Sequence, residues 1–469
     1  MPHTSKSEMT MKHVIIGNGI AGVKAAETIR REDAAAEITI IADEKDLFYL
    51  KPMLPDYVSG RFEEARLYGR TAQFYKKNRI NTLFGKRVAG IDAKGMKVLL
   101  DGESIDFDTL LIASGADIPP TVALLAQGEG VYTFRRLSDA RKIRAAAEHA
   151  RTAVIIGDAI MGLELARALL SRNIDVTFVS ENDRLWPDVL DLPASELLTE
   201  MICVKGVHFK FNTRIREIAR QSGKLVGVRT TEGIVIPCDL VGVGGRWTPN
   251  LSFLRNSGIM YRDGVLVGRF LETNVPCIFA AGDAAQPTVL GKDRPDVNTR
   301  WHAAWQQGAV AAMNMLGKRI NYVGVLSTAS TQVFGVDLMS VGDANPTTSG
   351  YSFDTGDYPV QGVGIYKKLV FKDDVLVGAL LIGSVSEGKK LENAVLARKR
   401  RSDLDKTLLR EMFDLTHPFA ADVGAICPVC KLELPVDDKT YEGQIVTCPA
   451  CGVELRLTRK DGRWRAVMP

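Results

Sequence analysis

The stretch KHVIIGNGIAG, residues 12–22, restricts this chain more than any other. An apolar run from His13 to Ile16 stops at Gly17-Asn18-Gly19-Ile20-Ala21-Gly22, and Ala25, Ala26 and Ile29 continue at helical spacing. That is the pattern of a buried strand, a tight turn and a helix N-terminus. Gly17 makes the turn, Gly19 opens the backbone to a pyrophosphate, and Gly22 lets the helix close on the strand. The unpaired N–H groups and partial positive charge of a helix N-terminus suit phosphate oxygens. A second apolar run, Glu37 to Ala42, delivers Asp43 and Glu44 where a ribose hydroxyl would need an acceptor. Together these predict an α/β dinucleotide-binding unit.

The theme returns once, as AVIIGDAIMGLELA at residues 153–166. Gly157 and Gly162 match Gly17 and Gly22, with Ile160 between them and Ala159 where the middle glycine would stand. The next apolar run, Ile174 to Val179, ends in Ser180-Glu181-Asn182 and not in arginines. A short polar and acidic end suits a free ribose 2′-hydroxyl, which favours NAD over NADP. Two such units agree with a length of 469 residues, which predicts two or three domains. A formal charge of +4 gives no case for nucleic acid or an anionic membrane. No window has the apolar length a bilayer needs, and residues 1–10 carry no signal-peptide core, so a cytoplasmic protein is expected.

Between the two turns, Leu47 to Pro55 contains Pro52 and Pro55, which predict an irregular segment in place of a helix. Lys51 there reads either as a solvated lysine or as a flavin contact. No cysteine precedes Cys203, so this region carries neither a dithiol nor a single redox thiol. Residues 82–100 alternate as strands around Val88, Ile91 and Val98. Phe107 to Ala113 reads as a buried strand closing on Ser114-Gly115-Ala116, whose small residues permit close approach of a cofactor or a second domain. Further on, residues 240–250 (LVGVGGRWTPN) run from a strand into Gly244. Residues 273–285 are a strand stopping at Gly282-Asp283, where the carboxylate is placed for a sugar or ribitol hydroxyl or, alternatively, caps a helix. A helix is predicted from Trp301 to about Leu316. Its His302 alone reads as a structural histidine more readily than as a catalyst. Residues 321–383 read as a small α+β domain, with hairpin signals at Asp373-Asp374 and near Gly335 and Gly342. Residues 388–415, which include Arg398-Lys399-Arg400-Arg401, read as helical.

Four of the seven cysteines form two pairs, Cys427-Pro-Val-Cys430 and Cys448-Pro-Ala-Cys451, seventeen residues apart. Two such knuckles predict one tetrahedral metal. The short polar spacer and Lys431 after the first knuckle favour structural zinc over iron. The polar stretch could not fold without the metal.

These motifs, from residue 12 to residue 383, resemble the two-dinucleotide flavoproteins that include glutathione reductase. The closer resemblance is to the branch of NADH:rubredoxin and ferredoxin reductases, nitrite-reductase flavin parts and apoptosis-inducing-factor-like proteins. It rests on GNGIAG, YLKPMLP, LLIASGA, VYTFRRLSDA, GDAIMGLELA, TNVPCIFAAGDAA, WHAAWQQG and YKKLVFKDDVLVGALLIG. The resemblance implies FAD on Gly17, Gly19, Ile20, Ala21 and Gly22, with Asp43 or Glu44 at the adenosine ribose. It implies Lys51, Pro52 and Trp301 near the flavin ring, Val88, Ala113, Ser114, Gly115 and Arg135 along the cofactor, and Gly282 and Asp283 at the ribitol. It implies NAD(H) on Gly157, Ile160, Gly162 and Gly244, with Glu164 near the nicotinamide and Glu181 near its ribose. Lys51, Glu164 and His302 are the candidate catalytic side chains. The tail resembles a generic zinc ribbon, with Cys427, Cys430, Cys448 and Cys451 as ligands.

The resemblance also implies a division into an FAD-binding domain (11–120 and 246–320), an inserted NAD(H)-binding domain (121–245) and an α+β interface domain (321–386). A helical linker (387–424) and the ribbon (425–469) follow. Pro52 and Met53 occupy the segment where disulfide reductases carry their cysteine pair, so that relay cannot operate. The expected activity is FAD-dependent NAD(P)H oxidoreduction with an external acceptor. That acceptor would be an iron–sulfur protein, ferredoxin or rubredoxin, alone or within a larger redox complex, with self-association left open. The rivals are a soluble NADH oxidase or quinone reductase, and a non-catalytic flavoprotein assembly subunit.

Overall fold

The computed structural model describes residues 10–119, 128–157, 160–245, 247–287, 300–324, 326–360, 363–404, 425–429, 433–434, 436–437, 439–449, 451–460 and 463–469. They fall into two compact units. The first comprises residues up to Tyr49, Tyr68–Asp117 and Thr248–Gly324; the second comprises Leu50–Leu67, Ile118–Trp247 and Val325–Pro469.

In the first unit the strand Lys12–Ile16 lies at the centre of a five-stranded parallel sheet. Across the sheet the order is Ile278–Ala280, Thr109–Ile112, Lys12–Ile16, Glu37–Ala42 and Ile80–Phe84. The inner strands are buried on both faces, as their near-continuous Ile and Leu content requires. The even-numbered side chains Val14 and Ile16 join a core with Leu110, Ile112, Phe253 and the antiparallel strands around Val98. Helices Ile20–Glu32 and Trp301–Met315 pack against each other. They approach so closely that a Cβ on Gly308 would lie 2.3 Å from the carbonyl oxygen of Ala21.

The second unit repeats the plan. Val207–Lys210, Asp175–Val179, Thr152–Ile156, Leu240–Val243 and Val131–Thr133 form a parallel sheet in that order, and the helix Ile160–Leu170 follows the second glycine turn. The same unit holds a five-stranded antiparallel sheet over residues 328–382. Two of its hairpins turn at Phe334-Gly335 and Asp373-Asp374, all at positive φ. Gly342 ends a strand and makes no hairpin. The tail is a pair of short strands and a three-stranded antiparallel sheet.

Two expectations need correction. Pro52 and Pro55 do not leave their segment irregular: each stands in the first turn of a short helix, Lys51–Met53 and Leu54–Val58. A first turn has no partner for the missing N–H, so proline initiates there. The helix after Gly388 ends at Leu396. Arg398 turns left-handed at φ 50°, and Leu376 N donates to Lys399 O, so pairing with the sheet replaces a further helical turn. Residues 405–424 of that expected helix lie outside the described residues.

Candidate cofactor-binding site and metal centre

The first glycine turn is built by exclusion. Gly17 stands at φ 116°, and a Cβ on it would lie 2.0 Å from Ala113 O, so only glycine fits. A Cβ on Gly22 would lie 2.0 Å from Gly17 O. The turn and the Ala113–Gly115 turn are therefore in backbone contact. Gly19 differs: a Cβ there would meet nothing within 4 Å. It is the N-cap of the Ile20 helix, without a side-chain cap and with no acidic residue in the first turn. The result is open space facing unpaired N–H groups, which fits a pyrophosphate. Asn18 is fixed from the side, where the Tyr75 hydroxyl donates to its Oδ1 at 2.8 Å and accepts from Phe48 N at 3.2 Å.

Other predicted residues converge on the same strand ends. Gly282, at φ 72°, donates its N–H to Gln307 Oε1 at 2.7 Å, and its added Cβ would lie 3.1 Å from Ala21 Cβ. Gly282-Asp283 thus sits beside the first turn of the Ile20 helix. Ser114 Oγ donates to Asn250 O, and Asn250 N donates to Gly115 O. Trp301 opens its helix with its ring centroid 6.0 Å from that of Phe48. Its indole N–H is buried and has no partner among the described residues, an orphan that a carbonyl oxygen of a bound ring would satisfy. Arg300, at the N-cap of the same helix, was not singled out from the sequence; burial pushes its guanidinium down to about 10. His302 places Nε2 2.9 Å from Gln306 Nε2, one turn along. Glu44 Oε2 accepts from Tyr49 OH at 2.6 Å. Asp43 follows the same strand. Val88 has its side chain in the core, so only its backbone can face a ligand.

In the second unit a Cβ on Gly157 would lie 1.5 Å from Gly244 O, and one on Gly244 would lie 2.9 Å from Gly162 Cα. The three glycines form one close-packed turn at the head of the Ile160 helix, which fits a second dinucleotide. Ala159 lies outside the described residues. Glu164 does not stand alone on that helix. Arg167 Nη2 bridges it at 2.9 Å to Asp56 at 2.9 Å, and all three side chains are at most one-quarter exposed. Burial works against the Arg167 charge, but Glu164 and Asp56 outweigh it and hold its pKa above the usual value. Lys51 begins the short helix Lys51–Met53, followed directly by the one that carries Asp56, with Pro52 beside it. Arg135 lies over the Trp247 ring at 5.2 Å.

The expectation that no arginine lies near Glu181 is not met. Arg214 Nε stands 3.4 Å from Glu181 Oε1, both side chains exposed. The turn before it docks on the strand end through Thr213 N donating to Ser180 O. Thirty-three residues separate the two positions, so no local pattern could reveal the pair.

In the tail, the sulfurs of Cys427, Cys448 and Cys451 lie within 4.8 Å of one another and are buried. Cys427 and Cys451 sulfurs are 3.7 Å apart. Metal–sulfur bonds of about 2.3 Å in a tetrahedron give an edge of about 3.8 Å. The donors therefore fit a four-thiolate metal centre; Cys430, the fourth expected ligand, lies outside the described residues.

Comparison with known proteins agrees with this anatomy. Residues 11–308 match the family described as pyridine nucleotide-disulphide oxidoreductase. Residues 330–399 match the rubredoxin NAD+ reductase C-terminal domain, and 425–462 the globular domain of proteins like the alpha-aminoadipate carrier protein LysW. The chain is 28% identical over 417 residues to nitrite reductase [NAD(P)H] of Bacillus subtilis, covering 88% of this chain but only 49% of that protein. It is 32% identical over 336 residues to the ferredoxin–NAD(+) reductase component of the p-cumate 2,3-dioxygenase system of Pseudomonas putida, covering 71% of this chain and 81% of that one. The solved NAD-dependent persulfide reductase from A. fulgidus superposes with a TM-score of 0.77 at 29% identity, over 84% of this chain and 79% of that one. With two glycine turns at parallel strand ends and a family match over most of its length, the chain belongs to the pyridine nucleotide-disulphide oxidoreductases.

Proposed function

We propose that this protein is an FAD-dependent NAD(P)H oxidoreductase that exchanges electrons with an external iron–sulfur or rubredoxin-type protein. The observation that carries this reading is the absence of cysteine from residues 1–202, with Pro52 and Met53 in the short helices where the related disulfide enzymes keep a thiol pair. FAD, when bound, takes an electron pair from a nicotinamide and releases electrons singly or in pairs.

The chain's own residues bind and orient. The Gly17–Gly22 turn and the Ile20 helix hold the FAD pyrophosphate, Asp283 faces the ribitol, and Glu44, steadied by Tyr49, serves the adenosine ribose. The Trp301 helix presents its indole N–H and its N-terminal dipole to a flavin carbonyl edge, where they stabilise negative charge. Gly157, Gly162 and Gly244 receive the second dinucleotide. Arg167 positions Glu164 for the nicotinamide amide by fixing its carboxylate. The tail holds one structural zinc on Cys427, Cys430, Cys448 and Cys451. The names of relatives, a dioxygenase ferredoxin reductase among them, support a one-electron partner. Uncrosslinked cysteines, and no membrane-length apolar helix among the described residues, support a cytoplasmic setting.

Anaerobic rapid mixing tests the reading. NADH should bleach the flavin absorbance, and a ferredoxin or rubredoxin should then restore it faster than a quinone does. Failure of NADH to bleach the flavin would refute the enzyme reading.

A further inference from the structure

The helix Ile160–Leu170 is buried on most of its surface, and Glu164 and Arg167 lie on the partly open stripe that leads back to the second glycine turn. Glu164 stands about one turn from the head of the helix. Arg167 gives it two N–H donors, and both go to one oxygen: Nε and Nη2 lie 3.0 and 2.9 Å from Oε2. Glu164 Oε1 accepts no hydrogen bond among the described residues. A guanidinium and a carboxylate left to themselves favour the side-on fork, in which each oxygen takes one N–H. Something holds Arg167 out of that fork.

Asp56 does so. It lies 111 positions away in the chain, in the first turn of Leu54–Val58, a short helix that packs on Ile160–Leu170 within the same unit. Its Oδ1 accepts from the same Nη2 at 2.9 Å. Nη2 is therefore shared between two carboxylates, and the guanidinium cannot swing to straddle both oxygens of Glu164. Arg61 Nη1, 3.5 Å from Asp56 Oδ1, belongs to an exposed side chain and holds it weakly. Arg167, Asp56 and Glu164 are 24%, 14% and 15% exposed, so their geometry is fixed more firmly than that of a surface pair. With Asp56 removed, Nη2 is released, Arg167 closes on Glu164 and Oε1 is taken up.

We propose that Asp56 is a positioning residue for the second dinucleotide: by holding Arg167 it keeps Glu164 Oε1 open for an N–H of the nicotinamide carboxamide. The inference rests on the reading of the Gly157–Gly162 turn as a nicotinamide-dinucleotide site. Asp56 itself acts through Arg167 and belongs to neither glycine turn. The consequence is selectivity for a carboxamide over a ring substituent that has the carbonyl but no N–H.

Calorimetric titration of the full-length, FAD-loaded protein tests this, with NAD+ and with its 3-acetylpyridine analogue, whose acetyl group lacks the N–H donors. The wild type should bind NAD+ about tenfold more tightly than the analogue. Asp56→Ala should bring the two affinities to within about threefold by weakening NAD+ alone. Asp56→Ser, too short to reach Arg167, should do the same and serves if the alanine variant loses flavin. Asp56→Asn, whose Oδ1 can still accept from Nη2, should restore most of the discrimination. NAD+ binding without discrimination in the wild type, discrimination unaltered in Asp56→Ala or Asp56→Ser, or Asp56→Asn no better than Asp56→Ala would overturn the inference and leave the nucleotide site standing. No binding of NAD+ to the wild type would overturn the nucleotide site and the inference together.

Discussion

Replacing Gly19 by alanine should separate cofactor binding from folding. Gly19 has φ −85° and ψ −175°, a backbone any residue adopts, and its added Cβ meets nothing within 4 Å. Losing glycine as the helix cap costs up to about 1 kcal/mol. The reduced freedom of the unfolded chain returns about 0.4–1 kcal/mol, so the apoprotein should keep its stability to within about 1 kcal/mol. In the proposed FAD site the methyl group does, however, occupy the space a pyrophosphate would enter. Displacing that group by even a few tenths of an ångström lengthens several charge-assisted hydrogen bonds, each contributing about 1.5–3 kcal/mol. Losing the equivalent of one of them raises the FAD dissociation constant by about 10- to 150-fold. Gly17→Ala is the contrast: at φ 116° and 2.0 Å from Ala113 O it should damage the apoprotein itself. The assay is thermal unfolding of apoprotein beside FAD titration by flavin fluorescence. Unimpaired FAD affinity in Gly19→Ala, or an apoprotein as damaged as that of Gly17→Ala, would refute the reasoning.

Glu181→Gln should release Arg214 for a 2′-phosphate and raise the NADPH/NADH ratio of kcat/KM about tenfold, or about 1.4 kcal/mol, with stability changed by less than about 1 kcal/mol because the pair is exposed. Steady-state kinetics with both nucleotides checks this. Cys448→Ser should abolish stoichiometric zinc by elemental analysis and expose the tail to protease, while flavin content and its reduction by NADH stay intact; iron in the wild-type tail would redirect the assignment to an electron carrier. His13 has a folded pKa depressed mainly by burial, partly offset by Asp33 and Asp108. Its contribution to stability is therefore present above the unfolded value of about 6.5 and is lost as pH falls through the folded value. His13→Phe should flatten that acid limb in denaturant titrations taken between neutral pH and about pH 5.

What could be read from the sequence was what neighbouring residues decide among themselves. The strand, turn and helix around Gly17 lie within one short window, and so do the hairpin at Asp373-Asp374 and each cysteine knuckle. Even there Pro52 and Pro55 were misleading, because proline stops a helix from within and starts one from its first turn. What could not be read was what distant segments decide together. Arg214 reaches Glu181, Arg167 joins Glu164 to Asp56, and Tyr75 fixes Asn18, each across a sequence gap or an element that no periodicity encodes. The end of the helix at Leu396 is set by the strand it meets, not by a glycine or proline of its own.

The crossing of the Ile20 and Trp301 helices also has a mechanical side. Where Gly308 meets Ala21 no side chain separates the two backbones, so the pair works as one stiff beam with a pinned joint. One end of that beam carries the amides proposed to bind phosphate and another the indole of Trp301, so a shift of either carries the other. A single methyl group at Gly308 would act as a wedge at the joint and splay both ends together. In the proposed FAD site, the spacing between the two halves of the cofactor is in this sense gauged by one missing side chain, two turns along its own helix from Trp301 and against the first turn of the other.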